Sequence, residues 1–339
     1  MVAPPWFSVP PEAYGGIEEV VAGLTHALIA CGHRVTLVGA GRDATPADFL
    51  RTYRDPPSER LGDPLPELLH AAAAARLVAG LDADVVHDHS LAGPLTAPGR
   101  RIPTVATMHG PVEGEMAEYY RQLGDAVSLV AISDTQREPA PDLNWVATVH
   151  NGLDVDSYPY REDKEDWVLF LGRFVPDKGA DLAIDAARAA GRRIKLAGKV
   201  NEPAEQEYFE QAIRPRLGPD TEFLGEVDAA GKRELYAEAA CLLFPIRWPE
   251  PFGMVMIEAM ACGTPVVALR SGSVPEVVAD GTTGIICDSP DELPAAVAKV
   301  DRLRPADCRE HVARRFDLSV MAAEYEQVYE QVLGRASSP

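Results

Sequence analysis

Short β-branched runs alternate with Ala- and Leu-rich stretches of helical spacing along the whole 339-residue chain. That alternation confines the fold to βαβ units around parallel sheets, an α/β architecture. In the first half the expected strands are Arg34–Val38, Val85–His87, Thr104–Thr107, Ser128–Ile132 and Val146–His150, with helices at Glu18–Cys31 and Glu67–Leu81. The pattern restarts in the second half, with strands at Trp167–Leu171, Arg193–Ala197, Cys241–Phe244, Pro265–Ala268 and Gly284–Cys287. Helices there are expected over Ala180–Ala190, Glu205–Leu217, Lys232–Ala239, Met256–Ala261 and Asp291–Leu303. A last helix, Ser319–Leu333, repeats its apolar and aromatic positions every turn, so one face is buried.

The length exceeds what one ordinary core serves and suits two α/β domains. The polar stretch Asp154–Asp166 lacks apolar periodicity and marks the boundary, giving domains 1–155 and 156–318 and a terminal helical segment 319–339. Asp43–Pro66, rich in Pro, Arg and Asp, reads as an irregular surface excursion, and Arg335–Pro339 as a frayed end. Two doubly wound domains in series are expected to leave a cleft where the carboxyl ends of their sheets face each other, so the chemistry belongs on strand-to-helix loops.

A net charge of −20 argues against a general nucleic-acid binder. Residues 1–158 hold 10 Arg, no Lys and 21 Asp plus Glu, a poor match for anionic lipid, so a soluble acceptor is expected. No apolar run approaches the roughly 20 residues that span a bilayer, and the start lacks the pattern of a signal peptide. Stable membrane insertion is therefore not expected, and the expected location is cytoplasmic. The five cysteines form no CxxC pair and read as small reduced core residues rather than disulfides or zinc ligands.

The segment Glu250-Pro-Phe-Gly-Met-Val-Met-Ile-Glu258, followed by Gly263-Thr264-Pro265, is the strongest chemical signal. Pro249 and Pro251 place Glu250 in a loop, and Gly253 permits close backbone approach to a ligand. Val255–Ala261 can begin a helix whose free N–H groups, from Phe252, Gly253, Met254 and Val255, would meet a phosphate. Two carboxylates flanking such a helix start suit a phosphate with hydroxyl-bearing groups on either side. The plainer alternative makes Glu250 a dipole-favoured helix charge and leaves Glu258 exposed.

Arg173 and Lys178 lie five residues apart between a strand and a helix, where both can meet one diphosphate. A solvated basic pair is the alternative. Gly15 and Gly16 precede a helix and allow close approach to sugar or phosphate, or form an ordinary tight turn. His109 ends a buried strand before Gly110 and should face the cleft. His87 and His89 share a strand face, but a metal site would need further ligands, so an acceptor-side or structural role is expected instead.

These segments together resemble the retaining glycosyltransferases of family GT4, which have the GT-B fold of two Rossmann-like domains across a deep cleft. The likeness covers nearly the whole chain: Tyr14-Gly15-Gly16-Ile17-Glu18 resembles the first glycine loop. Val85–His89 and Met108-His109-Gly110 resemble the histidine-bearing strand ends, and His150–Asp154 the exit from the first domain. Leu171–Phe174 with Lys178-Gly179 resembles the donor-phosphate loop, Phe223-Leu224-Gly225 the base-binding loop, and Glu250 to Glu258 the Glu-x7-Glu motif. Only Met1-Val2-Ala3 precede Pro4-Pro5, so the first strand must be short.

The resemblance implies His109 and Glu250 as catalytic residues. It implies Gly15, Gly16, Arg173, Lys178, Val227, Phe252, Gly253, Met254, Val255 and Glu258 as donor-binding residues, with Glu258 on the ribose. The co-substrate would be a UDP-, GDP- or dTDP-sugar, with no metal ion and no other cofactor. The acceptor would be small or oligosaccharide-like and read by the first domain around Asp43–Pro66 and Val112–Arg121. The terminal helix would cross back to the first domain, and the two domains would close on the donor. The Ala-, Arg- and Pro-rich composition looks actinobacterial, and the chain as a whole resembles glycosyltransferases of antibiotic pathways, of the orthosomycin (avilamycin) type.

Other readings have weaker support. Asp82-Ala-Asp84 and Asp154-Val-Asp156 resemble the DxD of metal-dependent transferases, but one abuts a strand and the other sits in the linker. Gly39-Ala-Gly41 lacks the third glycine of a dinucleotide fingerprint, which disfavours an NAD-dependent oxidoreductase. There is no GxSxG elbow and no Walker loop. A binding protein without turnover, or another GT-B sugar enzyme, is the alternative class.

Overall fold

The computed structural model describes all residues except Glu12–Tyr14, Asp43 and Ser337–Pro339. Tyr14 of the first glycine loop, the first residue of the Asp43–Pro66 excursion and the tip of the C-terminus thus lie outside the described residues. The chain forms two compact units, one comprising Met1–Leu153 with the helix Leu318–Ala336, the other Asp154–Asp317. No described helix is long and apolar enough to cross a membrane.

Unit 1 is built on strands β1 (Thr36–Ala40), β2 (Asp48–Tyr53), β3 (Val86–Asp88), β4 (Thr104–Thr107), β5 (Val127–Ala131) and β6 (Trp145–Thr148). All named pairs are parallel, in the orders β1-β2 and β3-β4-β5-β6. Val2 joins the two groups, bridging Val38 on one side and Asp88 on the other, also parallel. Its N–H donates to the His87 carbonyl at 2.8 Å, and its own carbonyl accepts from His89 N–H at 2.9 Å. The short first strand is thus a single bridging residue at the centre of the sheet. Helices α1 (Gly16–Ala30), α2 (Pro64–Val78) and α3 (Gly114–Leu123) belong to the same unit.

Unit 2 holds one six-stranded parallel sheet: β7 (Trp167–Leu171), β8 (Arg193–Ala197), β9 (Thr221–Gly225), β10 (Leu242–Phe244), β11 (Val266–Leu269) and β12 (Gly284–Cys287). Their spatial order is β12-β11-β10-β7-β8-β9. Its helices are α4 (Ala180–Ala189), α5 (Pro203–Tyr208), α6 (Ala229–Glu238), α7 (Met254–Ala261), α8 (Val274–Val277), α9 (Leu293–Val297) and α10 (Pro305–Arg315). The core of this unit gathers Val168, Phe170, Phe174, Ile184, Leu196 and Leu243. Burial on both sheet faces explains why these strands read as continuous apolar runs. The last helix, α11 (Leu318–Ala336), packs on α1, with Leu318 against Gly23.

Several expectations need correction. The Asp43–Pro66 excursion contains β2, paired in register with β1, and Thr52 Oγ1 donates to the Gly39 carbonyl at 3.0 Å. Its half-exposed side chains, polar and apolar mixed, hid the strand. Val112–Arg121 overlaps α3 rather than an open loop. The expected helix Glu205–Leu217 is broken into α5, a π turn over Phe209–Ile213 and a 3-10 turn over Arg214–Arg216, where Pro215 cannot supply a helical N–H. Asp291–Leu303 contains only the short α9 between two 3-10 turns. Four cysteines are buried, but Cys31 is exposed. Gly39 and Ala40 lie inside β1 itself.

The polar stretch after the first unit is pinned rather than loose within unit 2. Lys164 Nζ donates to the carbonyls of Ala237 and Cys262 and to Thr264 Oγ1, each at 2.9 Å. Arg309 donates to the carbonyls of Tyr158 and Ala261, and Glu165 N–H to the Glu238 carbonyl. Burial lowers the Lys164 ammonium to about 8, so its charge is held by these three acceptors. Lys164→Met should remove them at once and lower unfolding stability by about 2 kcal/mol. A urea titration in which the midpoint does not move would show the anchor to be dispensable.

Candidate functional site

In unit 2 the chain runs outward through β7, β8 and β9, then returns to the other side of β7 with β10, β11 and β12. The order reverses between β7 and β10, and there the loops leaving adjacent strands diverge and open a crevice. Lys178, in a 3-10 turn after β7, meets Glu250, in the loop after β10: Nζ bonds Oε2, which also accepts from Trp248 Nε1 at 3.1 Å. The same ammonium sits 5.2 Å from the Trp248 ring centroid. The two loops are stitched by Arg247, whose N–H donates to the Asp177 carbonyl at 2.8 Å and whose guanidinium reaches the Pro176 carbonyl and Asp181.

Gly253, at φ 77, turns the loop into α7, and no side chain caps that helix start. A β-carbon at Gly253 would lie 2.8 Å from Met256 Cε and 3.2 Å from Phe244 Cζ. The helix therefore starts at Met254, two residues before the expected Met256, because the left-handed glycine supplies the cap position. The loop is clamped from β11: Ser273 N–H donates to the Glu250 carbonyl at 3.0 Å, Ser273 Oγ to that of Phe252 at 2.7 Å, and Ser271 Oγ to that of Trp248 at 2.7 Å. Gly272, at φ 50, lies against the Glu250 backbone where any β-carbon would collide.

Glu258 is 5% exposed, which rules out the plain surface carboxylate. Its oxygens accept from Lys232 Nζ at 2.7 Å, Tyr236 OH at 2.8 Å and Tyr158 OH at 3.4 Å. Lys232 lies one turn into α6, just beyond the loop that carries the half-buried Val227. Arg173 is held by Glu205, Nε to Oε1 at 2.8 Å, and by Glu202 at 2.9 Å. Glu202 caps α5 in a reciprocal capping box with Glu205. Desolvation opposes ionisation of Glu205, but the Arg173 hydrogen bond and two backbone N–H donors hold its carboxyl below the ordinary range.

The corresponding switch in unit 1 lies between Val2 and β3. Gly15 caps α1 at φ 152, and a β-carbon there would sit 2.7 Å from Pro11; Gly16 faces open space. Behind them Glu18 is buried, and desolvation pushes its carboxyl up to about 7. Burial likewise pushes Asp88 up to about 6 and raises Glu67. His109 Nε2 lies 2.9 Å from His89 Nδ1, and burial lowers His109 to about 4 and lowers His89 well below its ordinary value, so this pair is neutral near pH 7. His87 is bound by Tyr329 OH and Thr107 Oγ1, both at 2.7 Å, which gives it a structural place beneath α11. Gln136 donates to the carbonyls of Met108 at 2.9 Å and Gly110 at 2.7 Å, fixing the backbone on either side of His109.

Arg173, Lys178, Glu250, Glu258, Val227 and the Phe252–Val255 segment thus all belong to unit 2, while Gly15, Gly16 and His109 belong to unit 1. The sequence reading missed Lys232, Tyr236 and Trp248, the Ser271–Ser273 clamp, and Gln136. Trp248, two residues before Glu250, and the Ser-Gly-Ser run after a strand were the available signals. Among the described residues no three His, Cys, Asp or Glu side chains are grouped as metal ligands. Asp82 and Asp84 instead line a cavity of about 540 Å³ with Arg34 and Glu326, and Asp154 caps a 3-10 turn.

The Glycosyltransferase Family 4 model matches residues 14–169, and the model for Glycosyl transferases group 1 matches residues 159–311. A phosphatidyl-myo-inositol mannosyltransferase of Mycobacterium tuberculosis is 31% identical, over 98% of this chain and 97% of that protein. A glycogen synthase of the same organism is 28% identical, over 94% of this chain and 92% of its own. Among solved structures, AviGT4, a glycosyltransferase involved in avilamycin A biosynthesis, has a TM-score of 0.77 and 26% identity, covering 98% of this chain and 97% of that one.

The raised carboxyl of Glu18 gives a pH test of the unit 1 site. A folded value near 7 above an unfolded one near 4.5 means its contribution is complete below pH 4.5 and is lost as the pH rises to 7. Glu18→Gln should therefore gain stability over the unsubstituted chain across that window, by about 3 kcal/mol at most. Parallel urea curves at pH 4.5 and 7.5 with a constant difference would place Glu18 in an ordinary environment.

Proposed function

The chain belongs to glycosyltransferase family 4, with the GT-B fold, and from that premise we propose a metal-independent, retaining transfer from a nucleoside-diphosphate sugar to a small or oligosaccharide-like acceptor. The donor is UDP-, GDP- or dTDP-linked. The observation that carries this is the meeting of Lys178 and Glu250 at the switch point of unit 2, beside the uncapped start of α7.

An anion entering there meets backbone N–H groups at the positive end of a helix and two cations, Lys178 and Arg173, already positioned by carboxylates. Lys178 exchanges part of its contact with Glu250 for a phosphate oxygen, which frees Glu250 to accept hydroxyls of the donor sugar. Glu258, buried and held by Lys232 and Tyr236, offers its remaining acceptor capacity to the ribose, with Val227 beside the base. Gly15 and Gly16 allow the backbone of unit 1 to approach the donor, and neutral His109 hydrogen-bonds the sugar. The acceptor is read by unit 1.

As the bond from the anomeric carbon to the diphosphate breaks, negative charge grows on the departing oxygen, where Arg173, Lys178 and the Phe252–Val255 amides stabilise it. The acceptor oxygen bonds the same face of that carbon, and its proton passes to the departing phosphate. Configuration is retained and no protein nucleophile is needed. The likeness to AviGT4, a glycosyltransferase involved in avilamycin A biosynthesis, supports a place in an antibiotic pathway and with it a natural-product acceptor; the setting we propose is cytoplasmic.

Titration with UDP, GDP, ADP and dTDP should find one nucleotide bound in the micromolar range, and Arg173→Ala should abolish that binding. Turnover with the matching nucleotide sugar should fall by about 100- to 1000-fold, and the product's anomeric proton coupling should match that of the donor. Near-normal turnover in Arg173→Ala would remove that residue from the mechanism, and an inverted product would remove the front-side route.

A further inference from the structure

The strand end that carries His109 is held from two sides. On the β3 side its ring meets His89: Nε2 lies 2.9 Å from Nδ1, and the stacked rings have centroids 5.2 Å apart. On the β5 side its backbone is held by Gln136, which lies in the 3-10 turn Thr135–Arg137 and is 6% exposed. Gln136 Nε2 donates to the carbonyls of Met108 at 2.9 Å and Gly110 at 2.7 Å, while its Oε1 accepts from Ile132 N–H at 2.8 Å. These three partners fix the amide, because an oxygen cannot face two carbonyls and an NH2 cannot face an N–H. The Gln136 N–H donates in turn to Ser133 Oγ at 3.2 Å, so side chain and turn are set together.

His109, the residue between the two held carbonyls, is left with open backbone groups. Met108 also donates its N–H to the Val130 carbonyl at 3.0 Å, so both its backbone groups and the Gly110 carbonyl point to the β5 side. Along a parallel strand successive residues turn their backbone groups to opposite neighbours. The N–H and carbonyl of His109 therefore face the β3 side. There β3 has ended at Asp88, and Ser90 turns its N–H and hydroxyl back onto Asp88 Oδ1 at 2.9 and 2.7 Å. Neither the N–H nor the carbonyl of His109 takes part in a hydrogen bond among the described residues. Backbone groups away from water are almost always paired, yet this half-buried residue presents a donor and an acceptor side by side.

Resting on the proposed reaction, in which His109 meets the donor sugar, we infer that Gln136 is a positioning residue for the transfer. By taking the carbonyls on either side of His109, it turns that residue's own N–H and carbonyl toward the sugar, while His89 sets the ring. Gln136 touches no substrate and acts through the His109 backbone. A glutamine suits the place: one amide nitrogen carries two N–H groups for two carbonyls, and it brings no charge to be desolvated. Nucleotide affinity belongs to unit 2, whereas groups that meet the reacting carbon act on the chemical step. Loss of Gln136 thus lowers kcat and leaves the KM for the nucleotide sugar in place.

Turnover is read on the full chain with UDP-, GDP- and dTDP-linked glucose, galactose and mannose. Water takes the acceptor's place, and free sugar and nucleoside diphosphate are released. Gln136→Met keeps the length and removes both donors, so kcat should fall by about 10- to 100-fold, with KM and calorimetric nucleotide affinity unchanged. Gln136→Glu keeps the outline but turns a carboxylate toward two carbonyls. Its kcat is taken as a ratio to the unsubstituted chain at each pH, so that titration of Glu18 and Asp88 cancels. The ratio should be low at alkaline pH and rise as the pH falls and the new carboxyl gains a proton to donate. His89 and His109 stay neutral through that rise. A residue needed only for packing gives no such recovery.

Normal kcat in Gln136→Met overturns the inference, and so does a loss carried by KM or a Gln136→Glu ratio that stays flat with pH. If neither variant keeps the far-UV spectrum of the unsubstituted chain, Gln136 is a folding residue and the inference also falls. An unsubstituted chain that binds no nucleotide and hydrolyses none of the sugars fails the donor reading itself. The other outcomes, seen against an active unsubstituted chain, fail this inference alone.

Discussion

The chain of unit 2 reverses its direction across the parallel sheet once, between β7 and β10. On one side of that line the chain moves toward β9; on the other it moves toward β12. The loops leaving β7 and β10 therefore part and open a crevice between them. The meeting of Lys178 with Glu250 follows from that geometry. Lys178 enters from one loop and Glu250 from the other, Arg247 ties the loops together, and the glycine at 253 directs the second loop into a helix that no side chain caps. Unit 1 repeats the arrangement with far less chain, since Val2 alone stands where a full strand would otherwise separate β1 from β3.

Charge is managed in pairs throughout this site. Arg173 is shared between Glu202 and Glu205, Lys178 is matched with Glu250, and Lys232 with Glu258. In a chain of net charge −20 an unpaired cation would be pulled toward many competing carboxylates. Fixing each cation on one carboxylate sets its position before an anionic ligand arrives, and the ligand then adds to a formed constellation rather than building one. The partly exposed pairs contribute little to stability by themselves. Glu205 and Glu258 differ, because a buried carboxylate without its cation is costly, so these two pairs bind site geometry to folding.

Many strands were legible from their apolar patterning: Trp167–Leu171, buried on both faces, is a continuous apolar run, and Arg193–Ala197 alternates Arg193 and Lys195 with buried Ile194 and Leu196; neither needs revision. β2 was not legible, since an edge strand of half-exposed residues such as Arg51 and Thr52 has neither a continuous run nor a clean alternation. The helix expected over Glu205–Leu217 failed for a local reason, with Pro215 ending regular hydrogen bonding. At the site, Glu250 and Glu258 were readable from their spacing and the intervening glycine. Lys232 and Tyr236 were not, because a lysine and a tyrosine on an ordinary helix acquire meaning only when α6 packs on α7. Gln136 was invisible for the same reason, as its role is to hold two carbonyls about thirty residues earlier in the chain.

Helix α2 is where pattern and structure part most instructively. Its sequence, Pro64-Leu65-Pro66-Glu67-Leu68-Leu69-His70, offers leucines enough for a buried stripe, and binary patterning alone would turn them inward. Two polar side chains, held by three hydrogen bonds, turn it the other way. Glu67 is drawn in by the N–H groups of Leu91 and Ala92, and His70 by Thr52 Oγ1 at 2.8 Å. Backbone N–H groups of a loop that packs against a helix must be satisfied, and here the helix supplies the carboxylate that does it. The alanines at 71 and 74 then allow close packing beneath, and the leucines are left at the surface as the geometric remainder. A helix anchored through its polar residues presents its apolar ones, so the contact that holds the loop at Leu91 and Ala92 is also what leaves the leucines of α2 at the surface.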